Sequence, residues 1–448
     1  MSIPPRLPET FNRLAWSNLA AQSAEQIALA AAPIVAVLTL GVAEGQTGLL
    51  QTALTLPFVL FAIPAGLLAD RISRRSLMAG AEALRAAALA AIVLLLALGA
   101  LNLPLLALLG FAAVCGTVVY SVAAPALVPS LVSSDLLPAA NARIELARTI
   151  AFASGPALGG ALVGWWGASP AFGFAAALSA TAVVLLSGIY EPARTPAPRR
   201  HPFQDIREGT AFVFHHPLLR PVFITQFIFN TGWFLQIAVF VPYAVRHLGL
   251  NAVGVGTVLT MYGVGMVIGA LFATRVMKRI AFGTVVGLGP VTGFVAAVVM
   301  ALTVLVPSPW LAALSFFLLG VGPILWVIST TTLRQSVTPP RLLGRVSAIN
   351  IMSYGARPVG SALGAIVGGL WSAEACLYLA AAVFGVQALV IWLSPAVALD
   401  RQPDMVGDEA GAVLAAPSLR AKRSNPESVR GDSLDCLVAR APRNDGVC

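Results

Sequence analysis

The chain has 448 residues, of which 58% are hydrophobic and 10% are charged, and its formal net charge is +9. A soluble globular domain carries roughly 25% charged residues, so this composition excludes an ordinary water-soluble domain. No polar domain could present a basic face to nucleic acid. The positive charge therefore indicates basic loops beside a membrane.

Twelve apolar runs follow a short polar N-terminus, residues 1–13, which has no pattern of a cleavable signal. Most runs reach the roughly 20 residues that cross a bilayer as a helix, and they are too uniformly apolar for barrel strands. The predicted fold class is therefore an all-α membrane protein with twelve transmembrane helices. The predicted spans are 14–40, 47–69, 76–98, 103–125, 143–166, 170–189, 219–245, 252–274, 282–305, 308–330, 345–369 and 374–394.

A polar segment at residues 191–218 divides the predicted spans into six and six. The first predicted bundle covers residues 14–190 and the second covers residues 219–394. Within the dividing segment, a short amphipathic stretch around Phe212 is predicted. Residues 395–448 are polar and unpatterned, so they are predicted to form a disordered cytoplasmic tail.

Basic residues occupy alternate loops. The opposite loops hold essentially one basic residue, Arg246. This asymmetry predicts that both termini and the 191–218 segment face the cytoplasm of a bacterium, in a multi-pass protein of the inner (plasma) membrane. The basic residues on the predicted cytoplasmic side are Arg71, Arg74, Arg75, Arg194, Arg199, Arg200, Arg207, Arg220, Arg275, Lys278, Arg279, Arg334, Arg341 and Arg345.

An internal repeat supports the division into halves. The segment GLLADRISRR at residues 66–75 resembles ALFATRVMKR at residues 270–279, and SLVSSDLL at 130–137 pairs with SVTPPRLL at 336–343. Both pairs lie at equivalent loops of their halves and at nearly the same separation. The chain is therefore predicted to be a tandem of two six-helix bundles related by an axis along the membrane normal.

Three motifs carry a resemblance to a known family. They are GLLADRISRR at residues 66–75, GPALGG at 155–160, and LGRV at 343–346 with Pro358 and Gly360 further on. Over roughly residues 10–395 the chain resembles the major facilitator superfamily (MFS), most closely its enterobactin-exporter-like branch of transmembrane secretion effectors. The resemblance implies the MFS fold and transport by alternating access at a site between the bundles.

The first two motifs predict gating elements. Asp70 is expected either to close the cytoplasmic side through Arg345 or only to cap its helix, and Gly66 is expected to admit a neighbouring helix closely. The GPALGG motif is expected to form a pivot that favours export, with ordinary small-residue packing as the alternative. The gating candidates are Gly66, Asp70, Arg71, Arg74, Arg75, Gly155, Pro156, Gly159, Gly160 and Arg345.

Polar residues inside the predicted spans are candidates for substrate or proton binding, because charge at membrane depth is costly. Glu25 is expected to carry a coupling proton or to bind a cationic substrate group. Helix packing is the alternative for each candidate, and Glu82–Arg85 and Glu145–Arg148 are predicted structural ion pairs near the cytoplasmic ends of their spans. The candidates are Asn18, Gln22, Glu25, Gln226, Asn230, Trp233 and Arg357.

These observations predict a transporter and not an enzyme, since no catalytic triad, metal cluster or nucleotide-binding loop is present in the sequence. We expect proton-driven efflux of a small amphiphilic molecule, of the siderophore or drug-like kind. The alternatives are transport of a lysophospholipid or other lipid, and a non-transporting membrane sensor. No cofactor or metal is expected; the expected partners are the lipid bilayer, the substrate and protons, and the chain is expected to be a monomer.

Overall fold

The computed structural model describes residues 7–133, 136–191, 202–339 and 342–403. Ten helices in these ranges are long and apolar enough to cross a membrane. The α-helices are α1 Glu9–Leu38, α2 Glu44–Leu60, α3 Ala62–Arg71, α4 Arg74–Ala97, α5 Leu103–Leu131, α6 Leu137–Trp166, α7 Ala168–Ser187, α8 Pro202–His215, α9 Leu219–Arg246, α10 Ala252–Arg279, α11 Phe282–Leu302, α12 Pro309–Val337, α13 Leu343–Met352, α14 Ala356–Leu370 and α15 Ala373–Trp392.

Two further crossings are interrupted helices. Helices α2 and α3 are separated at Phe61, four residues after Pro57, whose ring removes a backbone donor inside α2. Helices α13 and α14 are separated by a 3₁₀ turn, Ser353–Gly355, and Pro358 lies in the first turn of α14, where its missing donor is tolerated. Counting each broken pair as one crossing agrees with the predicted twelve.

The two halves pack in the same way. In the first half α1 contacts α6 and α7, and α4 contacts α5 and α7. In the second half the equivalent helices make the equivalent contacts: α9 with α14 and α15, and α11 with α12 and α15. The equivalent contacts agree with the predicted pair of six-helix bundles.

The bundles meet along α2 against α14 and α6 against α10. We name the two ends of the molecule after Glu44, at the start of α2, and Arg75, at the start of α4. Near the Glu44 end the helix backbones touch: a Cβ atom on Gly48 would lie 2.5 Å from the Ala365 Cα atom. A Cβ atom on Gly160 would lie 2.5 Å from the Ala252 carbonyl oxygen, so glycine permits both approaches.

At the Arg75 end two glycines have no close neighbours among the described residues. A Cβ atom on Gly66 or Gly344 would meet none of the described atoms within 4 Å. The close approach predicted for Gly66 is therefore wrong for this conformation. The predicted approach is not seen because the bundles, which are packed tightly near the Glu44 end, stand apart around Gly66.

The amphipathic stretch predicted between the bundles is confirmed as α8. This helix packs against α13 and α9 of the second bundle, and its Val213 is buried there with Val346 and Ile349. Residues 192–201, which precede it, lie outside the described residues. Helix α8 is thus a structural part of the second bundle.

The predicted start of the disordered tail at residue 395 is wrong for residues 395–403. Ala396 is buried, and the Leu399 carbonyl accepts a 2.7 Å hydrogen bond from the Gly283 amide at the start of α11. The Gln402 side chain donates to the Ser336 hydroxyl at 3.0 Å. The segment is ordered because it satisfies helix-terminal amides, a role that leaves no periodic pattern. Residues 404–448 lie outside the described residues.

Candidate functional site

A half-buried carboxylate marks the middle of the first bundle. Glu25, on α1, has no hydrogen bond or ion pair with any residue that the structure describes. The positive charges of Arg85, Arg357 and Arg148 act on it, and so does the negative charge of Glu82. Arg357 belongs to the second bundle, so Glu25 is within electrostatic range of that bundle.

Arg85 is held by three neighbours. Its Nη1 lies 2.8 Å from Glu82 Oε1 and donates to the Ala21 carbonyl at 3.0 Å, and Nη2 donates to the Thr117 hydroxyl at 2.7 Å. The Glu82 and Arg85 side chains are 0% and 2% exposed. The predicted ion pair is confirmed. It lies eight residues, roughly 12 Å, from Arg74 at the start of α4, and its predicted place near the cytoplasmic end stays a prediction. The pair joins α1, α4 and α5.

The second predicted pair, Glu145–Arg148 on α6, is confirmed at 2.5 Å and is far more exposed. Its side chains are 58% and 39% exposed. The Arg148 guanidinium also lies 5.5 Å from the Phe152 ring centroid. An exposed pair of this kind contributes little to stability in water.

Arg357 is surrounded by aromatic rings. Its guanidinium carbon lies 4.0 Å from the Tyr354 ring centroid, 4.6 Å from that of Phe58 and 5.4 Å from that of Phe234. The buried Nε has no hydrogen-bond partner, and no described carboxylate lies within 4 Å of the side chain. Phe58 comes from α2 of the first bundle, so one of the three cation–π contacts crosses the interface between bundles.

Glu25 and Arg357 therefore offer opposite charges from opposite bundles without forming an ion pair. A carboxylate can accept a proton or a hydrogen bond, and a guanidinium can only donate. Sequence analysis named both residues separately. Their relation could not be found from sequence, because no motif links α1 to α14.

The three predicted candidates on α9, Gln226, Asn230 and Trp233, make packing contacts in the structure. Gln226 accepts a 2.9 Å hydrogen bond from the Trp326 indole, and the Asn230 amide donates to the Gln226 carbonyl at 2.9 Å. Trp233 contacts Tyr262, with ring centroids 4.6 Å apart. Gln236 lies three residues after Trp233 on the same helix and is 1% exposed. Neither polar atom of its amide has a partner among the described residues.

The other α1 candidates differ in their surroundings. Asn18 is buried and its amide donates to the Ile144 carbonyl of α6 at 3.3 Å. Gln22 is half-buried on the same side of α1, between Asn18 and Glu25. Asn18 thus holds two helices of one bundle together.

The basic residues of the first motif bind neighbouring helix ends. Arg74 donates to the Ala126 carbonyl of α5, and Arg75 donates to the carbonyls of Leu186 at 3.1 Å and Ser187 at 2.6 Å. Arg75 thereby satisfies the last carbonyls of α7, whereas Arg71 is exposed. The Asp70 side chain lies outside the described residues, so its contact with Arg345 stays a prediction. Arg345 itself forms an ion pair with Glu208 of α8.

Glu191, which sequence analysis did not identify, completes this region. Its carboxylate accepts hydrogen bonds from the Ser73 hydroxyl at 2.6 Å and from the Arg75 and Arg74 amides at 3.0 and 3.2 Å. Partial burial alone would raise the pKa of Glu191, but these hydrogen bonds and the nearby Arg74 charge hold that pKa below its ordinary value of 4.5. The carboxylate caps the N-terminus of α4 from the end of α7.

The GPALGG motif lies at two helix contacts. A Cβ atom on Gly155 would lie 2.3 Å from Gln26 Cβ, and one on Gly159 would lie 3.0 Å from the Ile27 carbonyl oxygen, so both face α1. Gly160 faces α10 across the bundle interface, and the Pro156 carbonyl lies on the same side, against Gly256. Helix α6 is therefore tightly packed both within its bundle and between bundles.

The family model described as transmembrane secretion effector matches residues 6–417 of this chain. An uncharacterised MFS-type transporter of Sinorhizobium fredii is 28% identical over 279 residues, which are 60% of this chain and 66% of that protein. The enterobactin exporter EntS of Escherichia coli O1:K1 is 26% identical over 246 residues, 54% of this chain and 56% of that protein. The chain thus spans less than two thirds of the length of these curated relatives.

Solved structures share the fold. A bacterial homologue of the iron transporter ferroportin in an inward-facing state superposes with a TM-score of 0.70 at 15% identity, covering 87% of this chain and 99% of that one. A bacterial homologue of the human lysosomal transporter Spinster, inward-facing and unoccupied, gives 0.65 at 17% identity, covering 87% and 96%. These neighbours show the fold, and the match to the transmembrane secretion effector family agrees with the expectation that the chain is not an enzyme.

Proposed function

Because this chain belongs to the transmembrane secretion effector family of the major facilitator superfamily, we propose that it exports a small amphiphilic molecule across the bacterial inner membrane. The enterobactin exporters among its relatives favour a siderophore or a drug-like compound as substrate. The proton gradient supplies the energy, and the chain works as a monomer without a cofactor.

The distribution of basic loops favours a cytoplasmic position for the Arg75 end. In this orientation the bundles are apart on the cytoplasmic side and closed near Glu44 on the outer side. A substrate would enter from the cytoplasm, and a rocking of the bundles about the α2–α14 and α6–α10 contacts would expose it to the outside.

One observation carries the proposal: Glu25 and Arg357, from opposite bundles, lie within electrostatic range of each other, and neither has a charged partner within 4 Å among the described residues. Burying a carboxylate without a partner is unfavourable, so binding of a proton or of a substrate cation to Glu25 is favoured. Alternate binding of the two would exchange an outward-moving substrate for an inward-moving proton. Arg357 and its aromatic rings would hold the electron-rich part of the substrate.

Everted membrane vesicles containing the protein test direction and energy source together. In such vesicles an exporter carries substrate into the lumen, and an acidic lumen drives it. We expect vesicles with the protein to accumulate a catecholate siderophore or a cationic dye, and an uncoupler to abolish accumulation. Accumulation that persists with the uncoupler would overturn proton coupling, and accumulation no greater than in vesicles lacking the protein, over siderophore, dye and lysophospholipid probes, would favour the sensor.

A further inference from the structure

Arg334 lies in the last turn of α12, where the sequence predicts a loop cation in contact with water. In the structure it is half-buried, and its Nε is shielded from solvent without a hydrogen-bond partner among the described residues. Its side chain makes no ion pair with them either. A guanidinium that leaves water without a partner is unfavourable, so this position favours an acceptor that the described residues do not supply.

Tyr354 relates Arg334 to Arg357. It lies in the 3₁₀ turn between α13 and α14, with its ring centroid 4.0 Å from the Arg357 guanidinium carbon, and it is also within electrostatic range of Arg334. Arg357, like Arg334, has a buried Nε and forms no hydrogen bond or ion pair with the described residues. Two guanidiniums from two different helices thus lie near one tyrosine with donors to spare.

The surroundings of Tyr354 come from both bundles. Its 3₁₀ turn packs against α2, and Phe58 of that helix lies 4.6 Å from the Arg357 guanidinium carbon. Arg148 of α6 and Tyr262 of α10 are within electrostatic range of Tyr354. Helices α2 and α6 belong to the first bundle, and α10, α12 and α14 to the second. The two guanidiniums are therefore close to the space between the bundles that a substrate would cross.

Positive charge exceeds negative charge around Tyr354. Arg148 is paired with Glu145 at 2.5 Å. Among the described carboxylates, Glu25 alone acts on Arg357 electrostatically, without contact, and none acts on Arg334. At least one guanidinium charge is therefore not balanced by a described acid. Guanidiniums bind carboxylates and phosphates through paired, charge-assisted hydrogen bonds, so the unbalanced charge suits an anionic ligand.

We infer that Arg334 and Arg357 bind the anionic group of the transported molecule, which is therefore an acidic amphiphile. The inference rests on the proposed function and narrows its substrate class to molecules with a carboxylate or phosphate group. The rings of Phe58 and Phe234, 4.6 and 5.4 Å from the Arg357 guanidinium carbon, are placed to contact the apolar part beside that group. Ionised Glu25 repels an anion, so the same ligand meets Glu25 through a hydroxyl or amide donor.

Three dansyl probes that share one ring system and differ in charge test the site. At neutral pH dansylglycine is an anion, dansylamide is neutral and dansylcadaverine is a cation. Their equilibrium binding to the full-length protein in lipid nanodiscs is measured by fluorescence, and binding to empty nanodiscs is subtracted. Wild-type protein should bind dansylglycine most tightly of the three.

The variants locate the bound anion. Loss of a hydrogen bond to a charged group corresponds to about tenfold or more in affinity, so Arg334→Gln and Arg357→Gln should each weaken dansylglycine by that factor. Dansylamide should change by less than about twofold in both, because it carries no charge. Arg275→Gln is the matched control, since it removes the same charge from an exposed position on α10. It should leave all three affinities unchanged.

Three results would overturn the inference. One is wild-type protein that binds dansylcadaverine as tightly as dansylglycine or more tightly. Another is an equal loss of dansylglycine in Arg275→Gln, because net charge alone would then explain binding. The third is unchanged dansylglycine affinity in Arg334→Gln and Arg357→Gln, because the two arginines would then serve contacts within the chain.

If Arg357→Gln does not fold, Arg357→Lys keeps the charge but loses the paired hydrogen bonds, and it should still weaken dansylglycine more than dansylamide. Binding requires no gradient, so the site and the export proposal fail separately. Protein that binds dansylglycine through both arginines but accumulates nothing in everted vesicles contradicts export. Protein that accumulates a probe there but does not bind dansylglycine contradicts this site.

Discussion

Arg246 Nη1 lies 2.5 Å from Glu44 Oε1, and this ion pair joins the last turn of α9 in the second bundle to the first turn of α2 in the first. Arg246 Nη2 also donates to the Val42 carbonyl at 2.7 Å. Both charges complement the helix dipoles at their positions. Arg246 is essentially the one basic residue predicted on the side opposite the basic loops, and so it departs from the rule that basic residues gather on the cytoplasmic side. The structure shows that this residue holds the two bundles together.

Removing this contact is expected to favour opening at the Glu44 end. A partly exposed pair contributes up to about 1 kcal/mol, so Arg246→Ala should raise labelling of a single cysteine at position 365 from the Glu44 side roughly two- to fivefold. The measurement needs a background in which the four native cysteines are replaced. Arg246→Glu combined with Glu44→Arg should bring the labelling rate only part of the way back to wild type, because the swapped charges oppose both helix dipoles and the hydrogen bond to Val42 is lost. Unchanged labelling in Arg246→Ala would show that the glycine contacts alone keep this end closed.

The buried pair Glu82–Arg85 is expected to dominate the stability of the first bundle. Removing one partner leaves an uncompensated buried charge, so Arg85→Ala should destabilise the protein by about 3–5 kcal/mol. Arg148→Ala breaks the exposed pair on α6 and should change stability by about 1 kcal/mol or less. Thermal unfolding of the purified variants in detergent compares the two. Equal unfolding temperatures for the two variants would contradict the assigned burial.

Glu191 should make stability depend on pH. Because the folded pKa of Glu191 is lower than its unfolded value of 4.5, its stabilising effect is fully present above 4.5 and is lost as the pH falls through the folded pKa. Glu191→Gln should therefore unfold at a lower temperature than wild type at neutral pH, and the difference should shrink as the pH is lowered below 4.5. Glu9→Gln, on an exposed first turn, is the control. A difference that is the same at every pH would rule out the carboxylate cap.

Gln236 distinguishes a packing role from a functional one. Both polar atoms of its amide are buried without a partner among the described residues, an arrangement that costs about 1–3 kcal/mol. Gln236→Leu should therefore raise the unfolding temperature. If the amide contacts substrate during the cycle, the same variant should also lose export at least about fivefold, which corresponds to one hydrogen bond. A stabilised variant with full export would assign Gln236 to packing alone.

Sequence was sufficient for the features that depend on local composition. The positions of the apolar helices, the six-plus-six division and the amphipathic α8 follow from apolar periodicity and charge, whereas several helices extend about one or two turns beyond the predicted spans. The order of residues 395–403 was not predictable, because it depends on backbone hydrogen bonds from Gly283 to Leu399 that no side-chain pattern encodes.

The site was predicted only in part for a related reason. Glu25 and Arg357 were identified because charge at membrane depth is costly, and that argument needs one residue at a time. The rings around Arg357 come from α2, from α9 and from the 3₁₀ turn before its own helix, and Glu191 reaches α4 from beyond α7. Such relations arise from the packing of distant helices, which single-sequence patterns do not contain.

The central claim is that Glu25 exchanges a proton for substrate, and proton flux in proteoliposomes tests it most directly. With a pH-sensitive dye in the lumen, addition of substrate to wild-type protein should move protons in the direction opposite to substrate. Glu25→Gln should abolish this proton movement while the Glu9→Gln control retains it. Substrate-dependent proton movement of wild-type size in Glu25→Gln would contradict the account.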